Sequence, residues 1–285
     1  MKKIKIIDVN LKIKNNHILK NINLEINQGE TVAIIGPNGS GKTTLINTIL
    51  KVQKITSGKI INDFENLPKY KIGSYSQEQS LPEVFTVKEC LKLFLFEGSY
   101  SHLVKKYDLE EIFNRQIKEL STGEYKKLCL ILLLENNPEI IFVDEVTTGL
   151  DVPTRKSILN FMQNEFKSQK KTLVLITHYL EEVDESAKLV FLKDGKIVEI
   201  GFKDTLFSKY GLQKKIIIES EDNIEDISFK FKNFDSVSKK CIQIDATTEN
   251  TRKVLEVIND TGDTIKYDIE KPNIDNLYNK IMGIK

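Results

Sequence analysis

Residues 31–44 read TVAIIGPNGSGKTT. A continuous apolar strand runs into a glycine-rich loop, and the loop opens a helical stretch at Lys42. The stretch Gly36-Pro37-Asn38-Gly39-Ser40-Gly41-Lys42-Thr43 fits the pattern G-x-x-x-x-G-K-[ST] in its required strand–loop–helix setting. Each residue type has a physical reason. Glycines let backbone N–H groups wrap phosphate oxygens without a Cβ in the way. The helix start adds the positive end of a dipole. Lys42 is expected to reach the β and γ phosphates, Thr43 to offer its hydroxyl to Mg2+, and Thr44 to complete the nucleotide contacts. A chain with this segment is expected to build a sheet with the loop at the end of one strand.

A second segment completes such a site. Ile140-Ile141-Phe142-Val143-Asp144-Glu145 is an apolar strand ending in two acids. Asp144 is the candidate Mg2+ residue. Glu145 is the candidate general base for an attacking water. Many strands end in acidic turns, so the weight of this pair comes from the phosphate loop upstream.

The rest of the chain gives the setting. Ile4, Ile6, Leu11 and Ile13, then Ile18, Ile22, Leu24 and Ile26, alternate with polar residues as in half-buried antiparallel strands. From Thr31 the strands TVAII, EIIFV and TLVLI are continuously apolar, as a sheet buried on both faces requires. The fold class is therefore α/β, with a parallel core. Asp194-Gly195 marks a hairpin. After Leu212 short strands and helices restart, which predicts a small α+β domain over 211–285 behind a first domain over 1–210. No motif recurs, so there is one such unit.

Composition narrows the function classes. Charged residues are 29% of the chain, yet the net charge is only +1, which gives no field for nucleic acid. The longest apolar run, Leu128–Leu134, is far short of the ~20 residues a membrane span needs. Cys90, Cys129 and Cys241 lie far apart, so neither a disulfide nor a zinc site is expected. His17 and His102 sit in no motif and read as ordinary polar positions.

Leu120-Ser121-Thr122-Gly123-Glu124 stands shortly before the Asp144 strand. It resembles the LSGGQ signature of ABC ATPases. Gln77 resembles the Q-loop glutamine, Gly149-Leu150-Asp151 the D-loop, and His178 the switch histidine, all in family order across about residues 1–205. The resemblance implies a P-loop cassette: a mixed sheet core, an antiparallel β subdomain and a helical subdomain over about 78–136. It implies that Gln77 contacts metal or water, that His178 touches the γ-phosphate and Glu145, and that Asp151 crosses a dimer interface. It also implies that Ser121, Thr122, Gly123 and Glu124 face an ATP held by a second cassette, in a head-to-tail dimer. Ser121 and Glu124 also read simply as a helix capping box.

The sequence departs from the family in places. By spacing, Ile13 stands where the family stacks an aromatic ring on adenine. Thr122 and Glu124 replace glycine and glutamine, and Val146 stands where proline is common. The stretch from Val87 to Leu120 is short for the helical subdomain. The ending IDNLYNKIMG is similar to that of ABC-2 exporter ATPases in the drug and antibiotic-resistance group, or is a plain amphipathic helix. The expectation is an ATPase at the cytoplasmic face of a membrane, without a signal peptide or span of its own. It would power a separately encoded integral-membrane permease, with no nucleic acid among its partners. The alternative is a soluble ABC ATPase working on ribosomes or nucleic acid.

Overall fold

The computed structural model describes residues 2–68, 71–76, 80–95, 100–168, 171–177, 183, 186–212, 214–220, 234–238, 240–246, 248–261, 265–270 and 274–284. They divide into two units, one ending at Lys203 and the other starting at Asp204.

In the first unit, strands β1 (Lys3–Ile13) and β2 (Asn16–Asn27) form an antiparallel pair, and β4 (Ser57–Asn62) joins β1 on its other side. The alternation behaves as the sequence indicates until Asp8. There the backbone turns left-handed, φ 47°, and the register slips between Ile6 and Val9. The bulge moves Val9 and Leu11 onto the buried face. Ile13, at the strand end, is 43% exposed. Ile4, Ile6, Val9 and Leu11 pack with Leu19, Ile22, Leu24 and Ile26 into the main core. Each such fully buried side chain contributes about 1.5–3 kcal/mol.

The second sheet holds β3 (Thr31–Ile35), β5 (Ile72–Tyr75), β6 (Ile140–Asp144), β7 (Thr172–Ile176), β8 (Lys188–Lys193) and β9 (Lys196–Phe202). Its order is β5-β6-β7-β3-β8-β9, with every pair parallel except the β8–β9 hairpin. That hairpin turns at Asp194 and Gly195, both with positive φ. Residues 140–143 and 172–176 are buried throughout, which is why they carry no polar alternation. The C-terminal ends of the parallel strands share one edge of the sheet, and ligands of open parallel sheets bind at such an edge.

Three helices, α2 (Val87–Phe94), α3 (Ser101–Lys106) and α4 (Thr122–Glu135), surround a separate apolar cluster of Val87, Leu91, Leu103, Tyr107, Leu128 and Ile131. Short as this subdomain is, it has its own core. Thr86 and Glu89 close a reciprocal capping box at the start of α2. Tyr107 Oη donates to Glu135 at 2.6 Å, and Lys106 bridges Glu135 and Glu165, so α3 and α4 are pinned to α5 (Val152–Ser168).

The second unit has a four-stranded antiparallel sheet. Its strands β10 (Lys215–Ser220), β11 (Phe234–Ser238), β12 (Cys241–Asp245) and β13 (Ile265–Glu270) lie in the order β11-β12-β10-β13. Helix α7 (Thr248–Thr261) covers one face with Val254 and Val257, over Ile216, Ile218, Ile242 and Ile244. Helix α6 (Lys203–Lys209) leads in, and α8 (Ile274–Met282) ends the unit and is tied back by Lys280 Nζ on the Tyr210 carbonyl. The sequence placed the division at residue 210, after α6, because the hairpin and the apolar restart were the visible punctuation.

Candidate functional site

The loop between β3 and α1 (Lys42–Ile49) lies at the C-terminal end of a strand flanked by β7 and β8. Gly36 and Ser40 are buried, whereas Pro37, Asn38 and Gly39 form an exposed lip. Gly41 takes φ +102°, which a residue with a Cβ rarely adopts, and its carbonyl accepts the first helical bond from Leu45 N–H at 2.8 Å. Lys42, only 5% exposed, crosses back under the loop and donates to the Gly36 carbonyl at 2.8 Å and the Pro37 carbonyl at 3.2 Å. Burial holds its ammonium below the usual lysine range, and the nearby Glu145 and Asp144 charges oppose that shift. Ser40 Oγ is buried with no hydrogen-bond partner among the described residues. Thr44, half-buried, accepts at its carbonyl from Thr48 Oγ1 at 2.6 Å.

The acidic pair meets this loop from across the sheet. Thr43 Oγ1 donates to Asp144 Oδ2 at 2.7 Å, although the two residues are 101 positions apart. Glu145 follows β6 in the left-handed region, φ 49°, a conformation that costs on the order of 1–3 kcal/mol in a non-glycine residue. The turn is held by Glu145 N–H on the Ile176 carbonyl at 3.1 Å and by Thr148 Oγ1 on the Glu145 carboxylate at 3.4 Å. Strain held at such a point is a mark of functional sites.

The signature residues form a second group. Ser121 Oγ accepts from Glu124 N–H at 3.3 Å, and Glu124 accepts from Ser121 N–H at 2.7 Å, a complete capping box for α4. Arg115 also pairs with Glu124 at 3.2 Å. Burial pushes the Glu124 carboxyl up, but the bonds from the Ser121 backbone and hydroxyl and the contact with Arg115 together hold it below its usual range. Ser121 and Thr122 are exposed.

Gly123 has no Cβ for a steric reason. A Cβ there would lie 2.4 Å from Thr154 Cγ2, on the first turn of α5. Thr154 is in turn held by Asp151, which accepts from its backbone N–H at 3.0 Å and its hydroxyl at 2.8 Å. Those two bonds hold the Asp151 carboxyl below its usual range. Lys126 Nζ donates to the Thr148 carbonyl at 2.6 Å, so the signature helix reaches the turn that carries Glu145 through one residue. The sequence reading passed over Thr154, Lys126 and Thr148. The spacing Asp151-x-x-Thr154 ahead of a helical run was the available signal for Thr154, since an N-cap acid reaches that far.

Ile13, where an aromatic would stand in the family, offers an exposed aliphatic surface at the end of β1. Gln77 and His178 lie outside the described residues; β5 is described to Tyr75 and β7 to Ile176. The structure thus brings residues 36–44, Asp144 and Glu145 into one group and residues 121–124 with Asp151 into another. Among the described residues no helix is long and apolar enough to cross a membrane.

A comparison with known proteins gives this arrangement a family. The ABC transporter family profile matches residues 19–148. The chain is 32% identical over 205 residues to an uncharacterised ABC transporter ATP-binding protein of Methanocaldococcus jannaschii, covering 64% of this chain and 87% of that one. It is 32% identical over 233 residues to a putative multidrug export ATP-binding/permease protein of Staphylococcus aureus, covering 73% of this chain but spanning only 40% of that relative's length. Among solved structures it is similar to a dimeric, post-hydrolysis ATP-binding cassette bound to ADP and Pi. That match has a TM-score of 0.58 and 27% identity, and covers 70% of this chain and 98% of the other. With its phosphate loop, acid pair and signature helix in this fold, the chain belongs to the ABC transporter family, as one of its ATP-binding cassettes.

Proposed function

We propose that this chain hydrolyses ATP at a head-to-tail dimer interface and so powers a separate membrane permease, in an exporter of a drug, antibiotic, peptide or lipid. The bond from Thr43 Oγ1 to Asp144 Oδ2 carries the reading. It joins the phosphate loop to the acid pair at one sheet edge, and the buried Lys42 feels the charge of both acids. Two adjacent hard oxygen donors suit Mg2+, which takes oxygen ligands and keeps several waters. When bound there, Mg2+ supplies positive charge that neutralises the β- and γ-phosphate oxygens.

This chain's own residues do the rest. The loop N–H groups that follow Pro37, together with Lys42, hold the phosphates. Thr43 and Asp144 position the metal. Glu145 accepts the proton of the attacking water. Gln77 and His178 take the roles the family resemblance implies, at the metal or water and at the γ-phosphate. The exposed start of α4 offers the Thr122 and Gly123 N–H groups to the γ-phosphate of the partner cassette, since a helix N-terminus suits an anion, while Ser121 and Glu124 close the capping box that holds this end in shape. Asp151 lies beside it at the same interface. The similarity to a multidrug export protein supports the export direction.

Purification of the tagged chain from detergent-solubilised membranes tests the partner. A multi-span membrane protein at near-equal stoichiometry is the expected result. Recovery of ribosomal proteins or nucleic acid instead would replace the permease with a soluble role.

Two further outcomes follow from the geometry. With Ile13 instead of a ring, adenine binding lacks the stacking gain of about 0.5–1.5 kcal/mol. ATP and GTP affinities are therefore expected to agree within ~tenfold, and a larger gap in a competition titration contradicts this. Second, Gly123→Ala drives a methyl group into Thr154, whose χ1 is locked by its bonds to Asp151. Overpacking of this kind costs about 1–3 kcal/mol. A lowered urea midpoint is expected, with recovery in the Gly123→Ala/Thr154→Ser pair, which removes the clashing Cγ2. No recovery in the pair refutes the contact.

A further inference from the structure

Strand β13 is the outermost strand of the second unit's sheet, and among the described residues it pairs only with β10. The register sets Ile218 opposite Tyr267 and Ile216 opposite Ile269. Opposed residues of an antiparallel pair share a face, so Tyr267 and Ile269 lie on the face where Ile216 and Ile218 are buried beneath α7. Yet Tyr267 is 47% and Ile269 45% exposed, while Ile265 at the strand start is buried. The apolar face therefore continues past the helix to an edge whose outward backbone groups offer a template for another strand. Lys266, Asp268 and Glu270 alternate on the opposite face.

The strand sequence IKYDIE is self-complementary in one register. A twofold axis perpendicular to the sheet keeps the faces of both copies aligned, so it must pass beside a residue. Centred on Tyr267, it sets Tyr267 against Tyr267, Ile265 against Ile269 twice, and Lys266 against Asp268 twice. Centring on Lys266 or Asp268 opposes that charge to itself, and centring on Ile269 opposes Asp268 to Glu270. Aromatic, aliphatic and opposite-charge pairs favour cross-strand pairing, whereas like charges disfavour it. Edge charges usually repel a second strand; here they match it.

We propose that the second unit pairs with a second copy of this chain through antiparallel β13 strands, about a twofold at Tyr267. The two four-stranded sheets then become one continuous sheet. The apolar edges of the two copies cover each other, and the contact does not depend on nucleotide.

The test is sedimentation equilibrium of the full chain without nucleotide, which separates this contact from the ATP-dependent dimer proposed above. A reversible dimer is expected. Lys266→Asp alone and Asp268→Lys alone are each expected to raise its dissociation constant at least ~tenfold, because each sets like charges opposite one another twice. The Lys266→Asp/Asp268→Lys double variant restores the pairing in exchanged form, and its recovery guards against misfolding as the cause of a single-variant loss. Tyr267→Cys is expected to give a disulfide-linked dimer on mild oxidation, because the two residues face each other across the axis; the parent chain is the control. A monomeric parent chain, unweakened single variants, or a double variant no tighter than the singles would each overturn the proposal.

Discussion

Glu145→Gln is expected to keep ATP binding, lose turnover by ~10²–10⁴-fold and accumulate a nucleotide-bound dimer. The change is nearly isosteric. The amide oxygen still accepts from Thr148 Oγ1, and the backbone bond to the Ile176 carbonyl is untouched. The left-handed turn that aims this residue away from the strand therefore persists. What is lost is a basic oxygen for the proton of the attacking water. ATP titration, steady-state hydrolysis and light scattering with ATP read the three consequences separately. Near-normal turnover in this variant would remove Glu145 from the role of base. A variant that fails to bind ATP would show that the carboxylate acts on the ground-state complex instead.

The second large effect is at Lys42. Lys42→Ala is expected to weaken ATP binding by ~100-fold or more, because two charge-assisted bonds to phosphate are worth about 1.5–3 kcal/mol each. The nucleotide-free protein is expected to remain folded. In it Lys42 donates to two carbonyls of its own loop, and burial already disfavours its charge, so removing the ammonium relieves a cost as well as losing two bonds. Isothermal titration gives the binding loss, and circular dichroism of the free protein is the control. Unchanged affinity would sink the phosphate-loop assignment.

These two residues differ in how they could be found. Lys42 is legible because the phosphate loop is local: loop, helix start and cation lie within eight residues, and their chemistry demands that spacing. Glu145 is legible only in company, since an apolar strand ending in acids is common. Its left-handed backbone and its link through Thr148 and Lys126 to the signature helix are invisible in a linear reading.

The sequence alone determined what short-range physics writes into it. Continuous apolar runs mark strands covered on both faces, alternation marks the antiparallel pair, Asp194-Gly195 marks the hairpin, and Ser121 with Glu124 marks a helix start. The capping box formed as written, because its hydrogen bonds span three residues. Tertiary structure alone decided the rest. It set β7 between β3 and β6, and so brought Thr43 to Asp144. It inserted the bulge at Asp8, which shifts the alternation by one residue and so puts Val9 and Leu11 on the buried face. It packed Thr154 onto Gly123, so that a signature glycine answers to a helix that follows β6 in the chain. It also left one apolar edge of the second sheet exposed at Tyr267 and Ile269. The reason is common to all four: periodicity records which face of an element is buried, whereas strand order, register and close approach depend on contacts between segments that a local pattern does not encode.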